Sequence, residues 1–558
     1  MKKSFFRKLF IIQIFLFTGI LCGFSQNQKS TETKTYTTLF SINEYLGHME
    51  FLSNDLLEGR ATGTRGSQLA EAYIASQFKI LGLQPIDDHQ GYFQKINFDG
   101  FDTKESTLKV RFKTQSDYHD ISCPDEVGLL SELPYKESVN IDGDLIFAGY
   151  FIKAPEYNWD DVKNTDFRDK IIVVLVNDPD FERTGFGSQS MTYYGRWMYK
   201  LEMARKQKVK GIFLIHHDRE ATYGWHVVET INSSEALTIK GKNPNPLAFK
   251  GWISHKAINR ILDGSNLSYE KLIELAEKRS FKPFSLKTFA EVQFKQKYRS
   301  VESANVIGLI PGHDPSLKHE AVIYTGHFDH LGIGKADESG DKIYNGAMDN
   351  ASGIAALLCL ARVFSKGPTP SKRTIIFLAT TAEELGLLGS KYYVSNPIIP
   401  LKDVAVVINK DCMNHLGKRS GFSAFPVEYS TALDEVKQIG ETLGLKLIKR
   451  TRDVGGGAFR SDHFPFASRG VPALSVSLRG ENTSISKTEL DQIRKEIGRT
   501  YHRPNDEIHP LWRYDGVIKE IQLLYLLGKH WVEGARKPRL NMSADNPYLA
   551  TKRWYESE

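Results

Sequence analysis

Glu383 and Glu384 stand side by side just after an apolar run, Thr374-Ile375-Ile376-Phe377-Leu378-Ala379. Such a run fills a strand buried on both faces, and the carboxyl end of such a strand is where open α/β sheets place their ligand crevice. Adjacent carboxylates repel, so a cation or a proton must compensate one of them. A metal site gives the two separate tasks: one ligates the ion, and the other takes a proton from a water that the ion acidifies. By itself the pair reads more plainly as solvated charge at the positive end of a helix.

Other residues of the same kind change that balance. Strand 321–326 runs into Gly326-His327-Phe328-Asp329-His330-Leu331-Gly332, and Asp349 lies in Asn345-Gly346-Ala347-Met348-Asp349-Asn350-Ala351-Ser352-Gly353 before a helix. Asp411 ends strand 404–410, and His502 sits in Tyr501-His502-Arg503-Pro504-Asn505-Asp506. Each alone has a plain alternative as a cap, a turn former or a surface loop residue. His, Asp, Glu, Asp and His, all at strand exits of one sheet, are hard to obtain from capping alone. Two histidines and three carboxylates suit two borderline divalent ions, zinc first, with manganese or cobalt as alternatives. Two such ions about 3.5–4 Å apart need a shared carboxylate between them. Asp329, two residues from His327, is placed to accept from that imidazole's other nitrogen.

The elements that must position these groups follow from periodicity. Beyond residue 300, strands at 304–310, 321–326, 374–380, 404–410 and 473–478 alternate with helices at 352–365, from 386, at 431–443 and at 516–531. That alternation predicts an α/β fold, a mostly parallel mixed sheet flanked by helices. Upstream, Ile42–Leu52 and Gly66–Leu81 read as helices around the glycine-punctuated loop Glu58-Gly59-Arg60-Ala61-Thr62-Gly63-Thr64. The block 99–298 has a different texture and reads as an inserted β-rich α+β domain, with strands at Val139–Ala148, Lys170–Val176 and Gly211–His216. His216-His217 reads as structural. With no proposed ligand of its own, the insert is expected to shape access and not chemistry. The catalytic domain is then 40–98 together with 299–538, and 539–558 is a tail.

Composition excludes other classes. With 41% hydrophobic and 25% charged residues, the 558-residue chain is an ordinary globular protein of two or three domains. Four of its net +6 charges are Lys2, Lys3, Arg7 and Lys8, leaving +2 for the remainder, so no nucleic-acid partner is expected. Those four precede the apolar stretch Leu9–Phe24 and the small residues Gly23 and Ser25. That is a secretory signal over 1–25, followed by a polar leader, 26–39. Export to the periplasm or the exterior is expected, with no membrane span after cleavage; lipid anchoring at Cys22 is disfavoured by bulky Leu21. Cys123, Cys359 and Cys412 are too few and scattered for a disulfide framework and read as buried small hydrophobes.

The segments GHFDHLG, GAMDNASG, TTAEELGLLGS, NKD and YHRPNDE, with LEGRATGTRG upstream, resemble the M28 family of zinc-dependent peptidases. That family is a co-catalytic aminopeptidase group with glutamate carboxypeptidase-like members, and the insert resembles a protease-associated domain. The resemblance implies a zinc exopeptidase-like fold and two zinc ions per chain. It implies His327 and Asp411 on one ion, Glu384 and His502 on the other, and Asp349 bridging. Glu383 is then the general base, which passes a proton from water to the leaving amine. Tyr501 is the phenol that steadies the oxyanion in some relatives, or else a buried tyrosine with a satisfied hydroxyl. Arg460-Ser461-Asp462-His463-Phe464 matches a segment that puts His463 on the substrate side. The family's cis peptide falls at Asp349-Asn350. Lys410-Asp411-Cys412-Met413 departs from the apolar residues usual around that aspartate, which is expected to alter the pocket. Peptides are the implied substrates, and aminopeptidase is the favoured activity. The rivals are a single-zinc glutaminyl cyclase-like enzyme and a non-catalytic peptide-binding protein.

Overall fold

The computed structural model describes residues 39–541 except 115–116, 135, 222, 233–234, 368–369 and 450–451, and beyond them only 546, 548 and 551. The expected signal segment 1–25, nearly all of the expected leader and most of the tail lie outside the described residues.

The half that carries the candidate ligands is built on β1 (Phe93–Lys113), β2 (Phe284–Ile310), β3 (Ala321–His327), β4 (Thr374–Thr380), β5 (Val404–Asn409), β6 (Arg419–Phe425) and β7 (Ala473–Asn482). Their order across the sheet is β6-β7-β5-β3-β4-β2. The pairs β3–β4, β3–β5 and β5–β7 are parallel, whereas β2 runs antiparallel to β4 and β6 to β7. The apolar runs split by face as a two-sided sheet requires. Ile375, Phe377 and Ala379 enter one core and Ile376 and Leu378 the other; Val322 and Ile323 divide in the same way.

The helices α1 (Ile42–Leu52), α2 (Arg65–Ile80), α3 (Ser352–Ser365), α4 (Leu388–Ser395), α5 (His463–Ser468), α6 (Lys487–Thr500) and α7 (Asp515–Glu533) complete this half. α1, α2, α3 and α7 supply the first core, while Tyr393 of α4 and Phe466 of α5 join the second. The stretch Ala347–Ser365 is apolar and long enough to cross a membrane, but 89% of it is buried inside this fold.

The insert is less irregular than its loops suggest. Its strands Ser138–Phe147, Ile171–Leu175, Gly211–His216 and Phe249–Ser254 are successive parallel neighbours, with helices such as Trp197–Lys206 between them. Both sheets hang on one ribbon. β1 and β2 pair antiparallel from Phe93↔Val306 to Lys113↔Phe289. The far end of β2 pairs with β4 and its near end with Ser138–Phe147, so hydrogen bonding runs through 15 strands. The expected boundaries at 98/99 and 298/299 therefore fall inside two long strands, where Phe98 faces Val301 and Asp99 faces Ser300. No linker marks them.

Candidate metal centre and catalytic cleft

Parallel strands align their carboxyl ends, and the register shows it here: His327 pairs with Thr380 and Thr325 with Asn409. The loops after β3, β4 and β5 thus emerge together and deliver His327, Glu383-Glu384 and Asp411 to one edge. Asp349 comes from the loop before α3, and its peptide to Asn350 is cis. His502 follows α6 at a positive φ of 56°.

The side chains converge. His327 Nε2 lies 3.1 Å from Asp349 Oδ1 and 3.6 Å from Asp411 Oδ1. His502 Nε2 lies 3.1 Å from Asp349 Oδ2 and 3.3 Å from Glu384 Oε2. Asp349 therefore turns one oxygen to each imidazole. Among the described residues, two groups have ligand atoms close enough to hold an ion: His327, Asp349 and Asp411, and His330, Asp349 and Glu384. Asp349 belongs to both. Imidazole and carboxylate donors meeting around a shared carboxylate are a donor set that zinc accepts. The electrostatics agree. Burial, with Asp411 and Glu384 beside it, pushes the Glu383 carboxyl well up despite His327. His502 rises to about 9 against the pull of burial, because Glu384 and Asp349 favour its cation. A buried knot of carboxylates with this much mutual repulsion suits added positive charge.

Neighbouring groups brace the ligands, and most were not picked out from sequence. Arg60 is fully buried; its Nε donates to Phe328 O at 2.7 Å, and its Nη atoms donate to Leu52 O, to Asn345 O at 2.6 Å and to Gly346 O at 3.1 Å. One guanidinium thus ties the loop after β3 to the loop carrying Asp349. The glycine beside it is obligatory: Gly59 has φ 67°, and a Cβ there would lie 2.6 Å from the carbonyl oxygens of Gly332 and Tyr344. Asn350 Nδ2 donates to His327 O at 3.3 Å and Lys410 O at 3.1 Å, while its Oδ1 accepts from Gly353 N and Cys412 N. Asp506 accepts from Met348 N and Asp349 N, each at 3.1 Å.

Several placements differ from expectation. Asp329 does not hold His327 through its carboxylate: Nδ1 is 3.8 Å from Oδ1 but 3.2 Å from the Asp329 carbonyl oxygen, which the tight strand-end turn brings closer. The carboxylate instead accepts from Glu383 N at 3.2 Å. His463 is 1% exposed at the start of α5 and is absent from the cleft lining; Arg460 of the same segment lines it. Lys410 points away from the pocket into a buried ion pair with Glu520 of α7 at 2.8 Å. Of the three cysteines expected to be buried, Cys359 is, whereas Cys123 and Cys412 are only partly so, and Cys412 lines the cleft. Tyr501 is 41% exposed, stacked on His502 with centroids 4.0 Å apart, so it is no buried, satisfied phenol.

The ligands open into a cleft of about 550 Å³ whose far wall belongs to the insert. That wall includes Arg196, Trp197, Tyr223 and His226. Arg196 is 7% exposed, its Nε has no partner, and its guanidinium makes no ion pair among the described residues. Burial and neighbouring Arg460 lower it to about 10.

A parallel-centred sheet with a His/Asp/Glu cluster at its carboxyl edge is an arrangement on which a metallohydrolase can be built. Residues 305–524 match Peptidase family M28, and this segment is an M28 peptidase domain. The chain is 28% identical over 211 residues to Aminopeptidase YwaD of Bacillus subtilis, covering 37% of this chain and 40% of that protein. It is 31% identical over 170 residues to Leupeptin-inactivating enzyme 1 of Streptomyces exfoliatus, covering 30% and 34%. The matches thus span well under half of each relative. The fold is shared, with a TM-score of 0.53 and 19% identity, with an aminopeptidase from Aneurinibacillus sp. strain AM-1, over 90% of this chain and 96% of that one.

Proposed function

We propose that this chain is an exported di-zinc metallopeptidase acting as an aminopeptidase. The observation that carries the reading is Asp349, whose two oxygens face two separate imidazoles, each with a further carboxylate at hand. His327, Asp349 and Asp411 would hold one zinc, and Asp349, Glu384 and His502 the other. Zinc bound there supplies a Lewis acid that acidifies water and polarises a carbonyl. Glu383 lies beside the ligands, and its backbone N–H is tied to Asp329, so its carboxylate is held where it takes a proton and returns it to the leaving amine. Tyr501 faces the cleft and places a hydroxyl donor for the developing oxyanion. The insert closes the cleft from the other side and limits which peptides enter. Export rests on the 1–25 segment.

One observation favours a second reading for the substrate end. A buried, unpaired guanidinium is expensive unless a ligand anion meets it. Arg196 therefore favours peptides carrying a free carboxylate within reach of the cleft, as a carboxypeptidase or dipeptidase would take. Hydrolysis of N-blocked, C-amidated and unmodified peptides, with and without chelator, separates the two readings.

The roles within the glutamate pair are tested by substitution. Glu383→Gln keeps both zinc ions and loses turnover by at least ~10²–10⁴-fold. Glu384→Gln loses one zinc, and added zinc restores part of its activity. Zinc stoichiometry and peptide hydrolysis decide; full activity in both variants sinks the peptidase reading.

A further inference from the structure

The ligand cluster contains a third imidazole to which the resemblance assigns no role. His330 is 3% exposed and its Nδ1 lies 2.7 Å from Glu384 Oε1, while the other oxygen, Oε2, faces His502 Nε2 at 3.3 Å. The two oxygens of one carboxylate are thus divided between two histidines. His330 has few other places to go. Its backbone N–H donates to Arg60 O at 3.3 Å, and its ring occupies space that exists only because residue 346 is glycine: a Cβ there would lie 2.6 Å from the ring. Its Nε2 is buried with no hydrogen-bond partner among the described residues. Against a carboxylate oxygen, Nδ1 is the ring nitrogen that carries a hydrogen and donates it.

We propose that His330 is a positioning residue that reserves Oε1 of Glu384, so that only Oε2 is offered to zinc. A carboxylate free to turn can chelate through both oxygens and fill two coordination positions. Held by one oxygen, Glu384 leaves a position open for water or substrate, as a catalytic site requires. Hydrogen-bonded partners of metal ligands also set ligand orientation and affinity. This inference rests on the di-zinc reading above.

The test compares His330→Leu, which keeps bulk and removes the donor, with His330→Asn, whose amide N–H can take the place of Nδ1–H. Zinc is titrated off each with a chelator, and cobalt-substituted protein is examined by visible absorption, which weakens as coordination number rises. His330→Leu is expected to release one of its two zinc ions ~10–100-fold more readily and to show weaker cobalt bands. His330→Asn is expected to stay near wild type in both. A His330→Leu protein with the wild-type chelator curve and cobalt spectrum overturns the proposal. So does outright loss of one ion in both variants, which would make His330 itself a ligand. Should His330→Leu fail to fold by circular dichroism, His330→Gln, whose longer amide misses the Nδ1 position, takes its place under the same criteria. Wild-type zinc content reads the di-zinc interpretation separately: fewer than two ions counts against that interpretation, while the variant-to-wild-type ratio judges His330.

Discussion

Glu520→Gln is the substitution by which a residue remote from the cleft should disturb the metal centre. Glu520 is fully buried on α7, where Oε1 accepts from Lys410 Nζ at 2.8 Å and Leu478 N at 3.1 Å, and Oε2 accepts from Asn414 N at 2.8 Å. All the groups facing it are donors. A carboxamide keeps one oxygen and turns an NH₂ toward a donor, and no carboxylate then balances the Lys410 ammonium, which is 5% exposed. Removing one partner of a buried pair costs about 3–5 kcal/mol, and each 1.4 kcal/mol is tenfold in an equilibrium constant, so the folding equilibrium constant falls by roughly 10²–10⁴-fold. Lys410 adjoins Asp411, and its carbonyl is held by Asn350, so the same change should loosen one proposed metal ligand. Urea unfolding of zinc-loaded and chelated protein measures both effects: a lowered midpoint in each, with the larger drop when zinc is present. The double variant Lys410→Met/Glu520→Gln should recover part of the loss, because no lone charge remains buried. A Glu520→Gln protein within about 1 kcal/mol of wild type would refute the reasoning.

Asp349→Ala should be the most damaging single change for metal content, since Asp349 alone faces both imidazoles; normal retention of two zinc ions by elemental analysis would remove it as the bridge. In the insert, Glu132 is buried between Arg205 and Lys250, 2.9 Å from the latter; burial opposes its charge, but the two cations hold its carboxyl well below the usual range. Glu132→Gln should therefore destabilise the insert by ~3–5 kcal/mol, seen as faster proteolysis of the insert. The wild-type contribution, present above the ordinary glutamate pKa, should fade as pH falls through the lower folded value. Burial pushes His415 down to about 3, and its Nε2 is shared with the Tyr45 hydroxyl at 3.0 Å. Below its unfolded pKa of about 6.5 the unfolded chain binds the extra proton, so stability should fall by up to ~1.4 kcal/mol per pH unit toward pH 3. His415→Gln should flatten that slope in urea midpoints measured against pH.

The catalytic sheet was legible because a strand buried on both faces must be nearly all apolar, and 374–380 coincides with β4 end to end. Ligand types stood out for the same reason: His and Asp at strand exits have few other reasons to cluster. What sequence did not reveal were the braces. Arg60, Asn350, Asp506 and His330 act through partners up to 286 positions away, as Arg60 does with Gly346, and no local pattern marks such a bond. β6 is not marked by an apolar run over its whole length, because its first two residues, Arg419 and Ser420, are polar and only partly buried. Asp329 and His463 were placed by neighbourhood in sequence. A side chain's direction depends on the turn that carries it, which the order of residues alone does not specify.

The β1–β2 ribbon also makes the insert a cantilever. The roof over the cleft carries Arg196 and Trp197 on a beam whose root is the catalytic sheet, so opening the cleft means twisting hydrogen-bonded strands and not swinging about a free joint. The same register offers a clean place to saw the beam through. Phe98 and Val301 face each other across the ribbon, followed by Asp99 and Ser300. Joining Asp99 to Ser300 through a two-residue Asn-Gly turn would convert the stub into a hairpin with no raw strand ends. The apolar contact of Leu237 with Phe98, Val301 and Ala382 would then be laid bare next to Glu383, so the roofless domain would need a polar residue there to stay in solution.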